Sequence, residues 1–322
     1  MLALDDNLIY HDIEIDELKC QKLSDEIAHK LIQGVYPKVF HFLSKYGIYI
    51  FKFFKNCQWL YVMIDDKIPC FAGSLQHPQI VFAKCQAKNE FWVPLIEKAF
   101  AKIHNNYNAL VGGQLDDALV DMTGRVSEKL KITNNKNQFD KKTFESPEKF
   151  FRQLNEEITN KSMMGCSIAQ GKNVRGEGKV YIQNEFVGLY SGHAYSMMDV
   201  IDLGFEKVVR IRNPWGSDNP VEWNGPWSDN SPELIKNLKI LNDKLHQKWG
   251  QEVEELHEEN KDGAFLMSFK DFIEVWSNIS ICKKFPKHYE AIRFFNEWTE
   301  KNSGGTPITG TQESMLLYGK NQ

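Results

Sequence analysis

The sequence predicts an α+β fold in two halves, a helix-bearing first half and a second half of antiparallel β-structure. Three observations predict it. In "NEFWVPLIEKAFAKIHNNYNAL", Trp92, Leu95, Ile96, Ala99, Phe100 and Ile103 fall on one face at helical spacing. Between residues 163 and 215 three strand-like runs follow in succession: "MMGCSIAQ", "GLYSGHAYSMMDVI" and "EKVVRIRNPW". The last two are joined by a short "DLG" and pattern as an antiparallel hairpin.

Taken in order, "QKLSDEIAHKLIQ" (residues 21–33) reads as a short helix with Ser24 as a cap. "GIYIFKFF" and "WLYVMID" form a hairpin across "KNCQ". The helix of residues 89–110 follows, with Pro94 in its first turn, where a missing N–H costs little. "GGQLDDALVDMTG" is a loop and short helix that closes the first half near residue 124. A polar connector leads to "SPEKFFRQLNEEITN", a helix capped by Ser146. After the three strands, residues 233–261 are helical, and "GAFLMSFKDFIEVWSNISICKKF" gives a strand, a short helix and a strand. The predicted units are 1–124, 125–286 and 287–322, the last marked by a shift to Gly, Thr and Ser.

At 42 % hydrophobic and 25 % charged residues, the 322-residue chain has an ordinary globular composition. Its net charge of −4 gives no electrostatic case for nucleic acid or an anionic membrane. No apolar run approaches the roughly 18 residues of a membrane span, and "MLALDDN" turns acidic too soon for a signal peptide. Six scattered cysteines (20, 57, 70, 85, 166 and 282) without a C-x-x-C pair argue against zinc and against a disulfide framework. The expected setting is reducing and cytoplasmic. No subunit partner can be named from the sequence.

The hairpin of "HAYSMMDVI" and "FEKVVRIRN", turned about Leu203, pairs Asp199 with Lys207, Met197 with Val209 and His193 with Asn213. In that register the Asn213 oxygen accepts Nδ1–H of His193, leaving Nε2 to take a proton from a thiol. On these residues alone His193 is either a packed strand histidine or a base.

"GHAYS", "RIRNPWG", "VEWNGPWSDNSPE" and "DGAFLMSFKDF" closely resemble, in order, the second half of the calpain protease core. "FWVPLIEKAFAK", "IDDKIP" and "GGQLDDALVDMTG" resemble its first half, and the likeness spans nearly all of residues 40–286. The resemblance implies a papain-like, calcium-activated cysteine endopeptidase core. It makes His193 the base, Asn213 its orienter and Trp215 the wedge of the cleft. It implies protein or peptide substrates. It also implies calcium ligands at Glu222, Asp229 and Asp262 in the second half and at Glu90 in the first. Ala264 stands where a further acidic ligand is usual, and "SDNP" is inserted between Trp215 and Val221, so the second-half site is expected to be weakened, and the first-half site, whose other ligands would precede Met1, to be broken.

The nucleophile run of that family, of the form Q-G-x-x-G-D-C-W-L-L, is not found in the chain. "MLALDDNLI" resembles the tail of its helix, and "EWTEKNSGGTPITGT" resembles the opening of the β-sandwich that follows the core. The expectation is a chain incomplete at both ends and inactive as written, since none of its six cysteines has a helix-start setting. The rival expectation is a non-catalytic pseudopeptidase, a binding scaffold. A transglutaminase-like acyl transferase is disfavoured by "RNPWG" and "WSDNSPE".

Overall fold

The computed structural model describes residues 8–12, 35–71, 79–85, 91–133, 139–170, 177–216, 222–250, 256–257, 263–284 and 299. The chain divides into two compact units, Met1–Phe285 and Pro286–Gln322. Of the second only Thr299 is among the described residues, so the expected β-sandwich opening lies outside them, as does the expected helix at 21–33.

The strands are β1 (Leu8–Asp12), β2 (Ile48–Lys55), β3 (Gln58–Asp65), β4 (Lys67–Phe71), β5 (Gln79–Ile80), β6 (Val126–Lys131), β7 (Met163–Ser167), β8 (Gly178–Ile182), β9 (Glu185–Ser191), β10 (Ala194–Asp202), β11 (Lys207–Arg212), β12 (Ala264–Ser268) and β13 (Asn278–Lys283). The α-helices are α1 (Trp92–Ile103), α2 (Leu115–Thr123), α3 (Lys141–Phe144), α4 (Pro147–Thr159), α5 (Pro232–Trp249) and α6 (Phe269–Val275). Leu8 and Ile9, expected in the tail of a helix, belong instead to strand β1, which pairs with β4.

A first core gathers Tyr49, Phe51, Phe53, Val62, Ile64, Leu95 and Ala99. It is a β-hairpin with a helix laid on it. Alternation along β2 and β3 turns Phe51, Phe53, Val62 and Ile64 inward, and Leu95 and Ala99 of α1 meet them at i, i+4 spacing. Pro94 sits in the first turn of α1, as expected. Asn56 and Cys57 make the hairpin turn with φ of 50° and 57°.

The second core fills around a six-stranded antiparallel sheet in the order β12-β11-β10-β7-β13-β6. Met164, Tyr195, Met197, Val209, Ile211, Met267, Trp276 and Ile279 lie inside it, with Phe150, Phe151, Leu154 and Ile158 of α4 packed on one face. Ser146 caps α4, its Oγ accepting from Lys149 N–H at 3.2 Å. Burial of each such Phe or Leu side chain stabilises by about 1.5–3 kcal/mol. A third cluster of Leu203, Val208, Trp227, Leu234, Leu241 and Leu245 fixes α5 to the end of the sheet.

The β10–β11 register corrects the expected one. Asp202 faces Lys207, Asp199 faces Arg210 and Met197 faces Ile211, with an irregularity between Met197 and Asp199. The turn is wider than a pivot at Leu203: Leu203 N–H donates to Glu206 O across Gly204 at φ 86°. The cross-strand charge pair is therefore Asp202–Lys207, at 3.7 Å. Asp199 is buried and pairs with Lys248 of α5 at 2.6 Å, and Trp249 Nε1–H donates to its other oxygen.

Candidate active site

The run "GLYSGHAYS" is not one strand. Gly192, at φ 70°, breaks it, and His193 stands in the gap between β9 and β10. Asn213 follows the last residue of β11, and its backbone N–H donates to Gly263 O at 2.8 Å. Gly263, at φ 83°, is needed there because a Cβ would lie 2.7 Å from Asn213 O. The wider turn and the bulge pair Ser196 with Arg212. The amide of Asn213 is thus reached diagonally from His193, so the far nitrogen of the ring makes the contact.

That contact is His193 Nε2 to Asn213 Oδ1, 2.9 Å, with both residues buried. Trp215 N–H donates to the same oxygen at 3.1 Å, which fixes Oδ1 as the acceptor of both. The expected assignment of ring nitrogens is therefore reversed: Nε2–H serves Asn213 and Nδ1 faces the other way. The cause is the diagonal reach, which favours the distal atom.

Nδ1 meets Glu177 Oε1 at 2.7 Å. The β8–β9 hairpin delivers this carboxylate, because Gly178 pairs with Ser191 and the next step outward sets Glu177 beside Gly192. The Trp215 ring lies over the imidazole with centroids 4.4 Å apart, and Tyr190 meets Trp215 edge-on. On another side Tyr195 stands edge-on to His193 at 4.8 Å. The Tyr195 hydroxyl accepts Tyr190 N–H at 2.9 Å, and burial pushes its phenol up.

The structure thus brings His193, Asn213 and Trp215 together. Sequence reading missed Glu177, because no motif marks the stretch between "MMGCSIAQ" and "GLYSGHAYSMMDVI". The signal was the turn in "VYIQNEFV": Gln183 and Asn184 both take positive φ, 51° and 69°, the mark of a tight hairpin.

No sulfur touches either ring nitrogen of His193 among the described contacts. Cys70 of strand β4, Cys166 and Cys282 are all buried, and burial pushes each thiol up. Cys57 is exposed in the β2–β3 turn, and Cys20 lies outside the described residues.

Of the expected calcium ligands, Glu90 and Asp262 lie outside the described residues. Glu222 and Asp229 stand in the segment that leads to α5. Gly188, at φ 80°, packs against that segment so closely that a Cβ would lie 1.7 Å from Glu222 O. Ala264 is buried at the start of β12 and supplies no carboxylate. Among the described residues no three His, Cys, Asp or Glu side chains come together as a metal needs.

Against this geometry, the family model described as "Calpain family cysteine protease" matches residues 21–283. The chain belongs to the calpain family of cysteine proteases. Mouse Calpain-9 is 36 % identical over 269 residues, covering 82 % of this chain and 34 % of its own length. Calpain-A of Drosophila melanogaster is 35 % identical over 284 residues, 80 % of this chain and 30 % of that protein. The maize calpain-type cysteine protease DEK1 is 33 % identical over 259 residues, 80 % of this chain and 11 % of that protein. The chain spans about a third of the length of Calpain-9. Its α+β architecture is that of a calpain protease core.

Proposed function

We propose that the chain carries the base-and-orienter half of a calpain-type, calcium-dependent cysteine endopeptidase site that clips intracellular proteins at extended segments. One observation carries the reading: Asn213 Oδ1 holds His193 by Nε2–H while accepting Trp215 N–H. That tautomer makes Nδ1 the basic nitrogen. A thiol facing Nδ1 gives it a proton and attacks the peptide carbonyl. The amine then leaves with that proton, and water hydrolyses the acyl-sulfur bond.

The 322 residues as written place no described cysteine at Nδ1, and we propose that they are inactive alone. Unbridged thiols at Cys57, Cys70, Cys166 and Cys282 support a reducing, cytoplasmic setting. No helix among the described residues is long and apolar enough to cross a membrane. Calcium would engage Glu222 and Asp229 together with Asp262, weakly, because Ala264 brings no oxygen from its side chain. The second reading, a pseudopeptidase that binds substrate without cutting it, is favoured by the engagement of both His193 nitrogens.

The test is the purified chain with calcium, an unfolded protein substrate and a thiol-directed epoxide. No turnover is expected, and epoxide-sensitive turnover would contradict the proposed inactivity. Calorimetric binding of an extended peptide without cleavage would favour the scaffold reading.

A further inference from the structure

We propose that Glu177 is an intramolecular latch on His193, closing the Nδ1 side of the imidazole until the leading end of the β8–β9 hairpin moves away. The proposal rests on the reading of His193 as the base, and it concerns the one ring atom that this reading needs open.

Three features carry it. The carboxylate lies 2.7 Å from Nδ1, within range of a charge-assisted hydrogen bond. A Nδ1–H donated to that carboxylate leaves the ring no lone pair with which to accept a thiol's proton, since Nε2–H already serves Asn213. Trp215 lies over one face of the ring and Tyr195 stands edge-on at another side. The His193 side chain is only 7 % exposed, whereas that of Glu177 is 40 % exposed. Glu177 is therefore a surface residue that reaches in, and it can leave without opening a core.

The placement follows from the hairpin. The Gly178–Ser191 pair, with Ser191 Oγ–H donating to Gly178 O at 3.2 Å, holds the strand start beside His193. The hairpin forms its own two-stranded sheet, outside the six-stranded one. Its leading end can swing without breaking a ladder of the main sheet.

The test reads access to His193 and needs no nucleophile. Diethyl pyrocarbonate acylates an imidazole nitrogen that has a lone pair and is open to solvent. Its rate at His193 is followed by peptide mass spectrometry, with the other eight of the nine histidines as internal references. Glu177→Ala is expected to raise the His193 rate by about tenfold, the worth of one charge-assisted hydrogen bond, and to leave the other histidines unchanged. Glu185→Ala, at the far end of the same hairpin, is expected to leave His193 at the parent rate. An unchanged rate in Glu177→Ala, or an equal gain in Glu185→Ala, overturns the latch. A gain specific to Glu177→Ala, in a chain that stays inactive once given a nucleophile, keeps the latch and overturns the reading of His193 as base.

Discussion

Asn213 is 2 % exposed, and its Oδ1 serves two donors, His193 Nε2–H and Trp215 N–H. Asn213→Ala strands both inside the protein, and stability should fall by about 1–3 kcal/mol. A urea midpoint equal to that of the parent would show that neither bond stabilises the fold. Tyr36 gives the opposite case. Its hydroxyl is buried with no hydrogen-bond partner among the described residues, and burial pushes the phenol up to about 12. Tyr36→Phe should therefore leave stability unchanged or raise it by up to about 1 kcal/mol. A clear loss in the same urea experiment would mean that the hydroxyl has a partner after all.

At the scale of elements, α5 is tied to the sheet by one buried carboxylate. Asp199 accepts from Lys248 Nζ and Trp249 Nε1–H while Arg210, also buried, faces it across the ladder. Removing the carboxylate leaves Lys248 Nζ without its counter-ion and Trp249 Nε1–H without its acceptor at this junction. Asp199→Ala should cost about 3 kcal/mol or more, read by thermal or urea unfolding; a cost below about 1 kcal/mol would contradict the clamp. The elements also show what could be read from sequence. Helices α1 and α4 were legible because periodicity and a cap signal agree, at Trp92–Ile103 and at Ser146. Strand β6 and the β8–β9 hairpin were not, because "VSEKLK" is largely polar and "GKVYI" buries none of its residues fully, so both are held mainly by strand pairing. The β10–β11 register was misread because a bulge and a wide turn leave little trace in alternation. His193 and Asn213 still met, since a shift of about two residues can be absorbed by the reach of an imidazole. The choice of nitrogen, which depends on that shift, was lost.

For the whole molecule, the raised groups share a direction. Burial pushes up the thiols of Cys70, Cys166 and Cys282 and the phenols of Tyr36, Tyr49 and Tyr195. Each stays neutral in the fold where the unfolded chain would ionise. Their stabilisation is fully present below the unfolded values of about 8.5–10. It is lost as pH rises toward the folded ones. Under reducing conditions the urea midpoint should fall between pH 7.5 and pH 10.5; a flat profile would refute the burial of these groups.

The arrangement of the site as a whole makes one central claim, that Nδ1 of His193, oriented by Asn213, is the proton acceptor for a thiol. Its most direct measurement joins a calpain-type Q-G-x-x-G-D-C-W helix ahead of Met1 and follows hydrolysis of an unfolded protein with calcium present. The account predicts turnover that the thiol-directed epoxide blocks and that His193→Ala lowers by about a hundredfold or more. No turnover from the folded, cysteine-bearing chain even with Glu177→Ala, or turnover that survives His193→Ala, would contradict it.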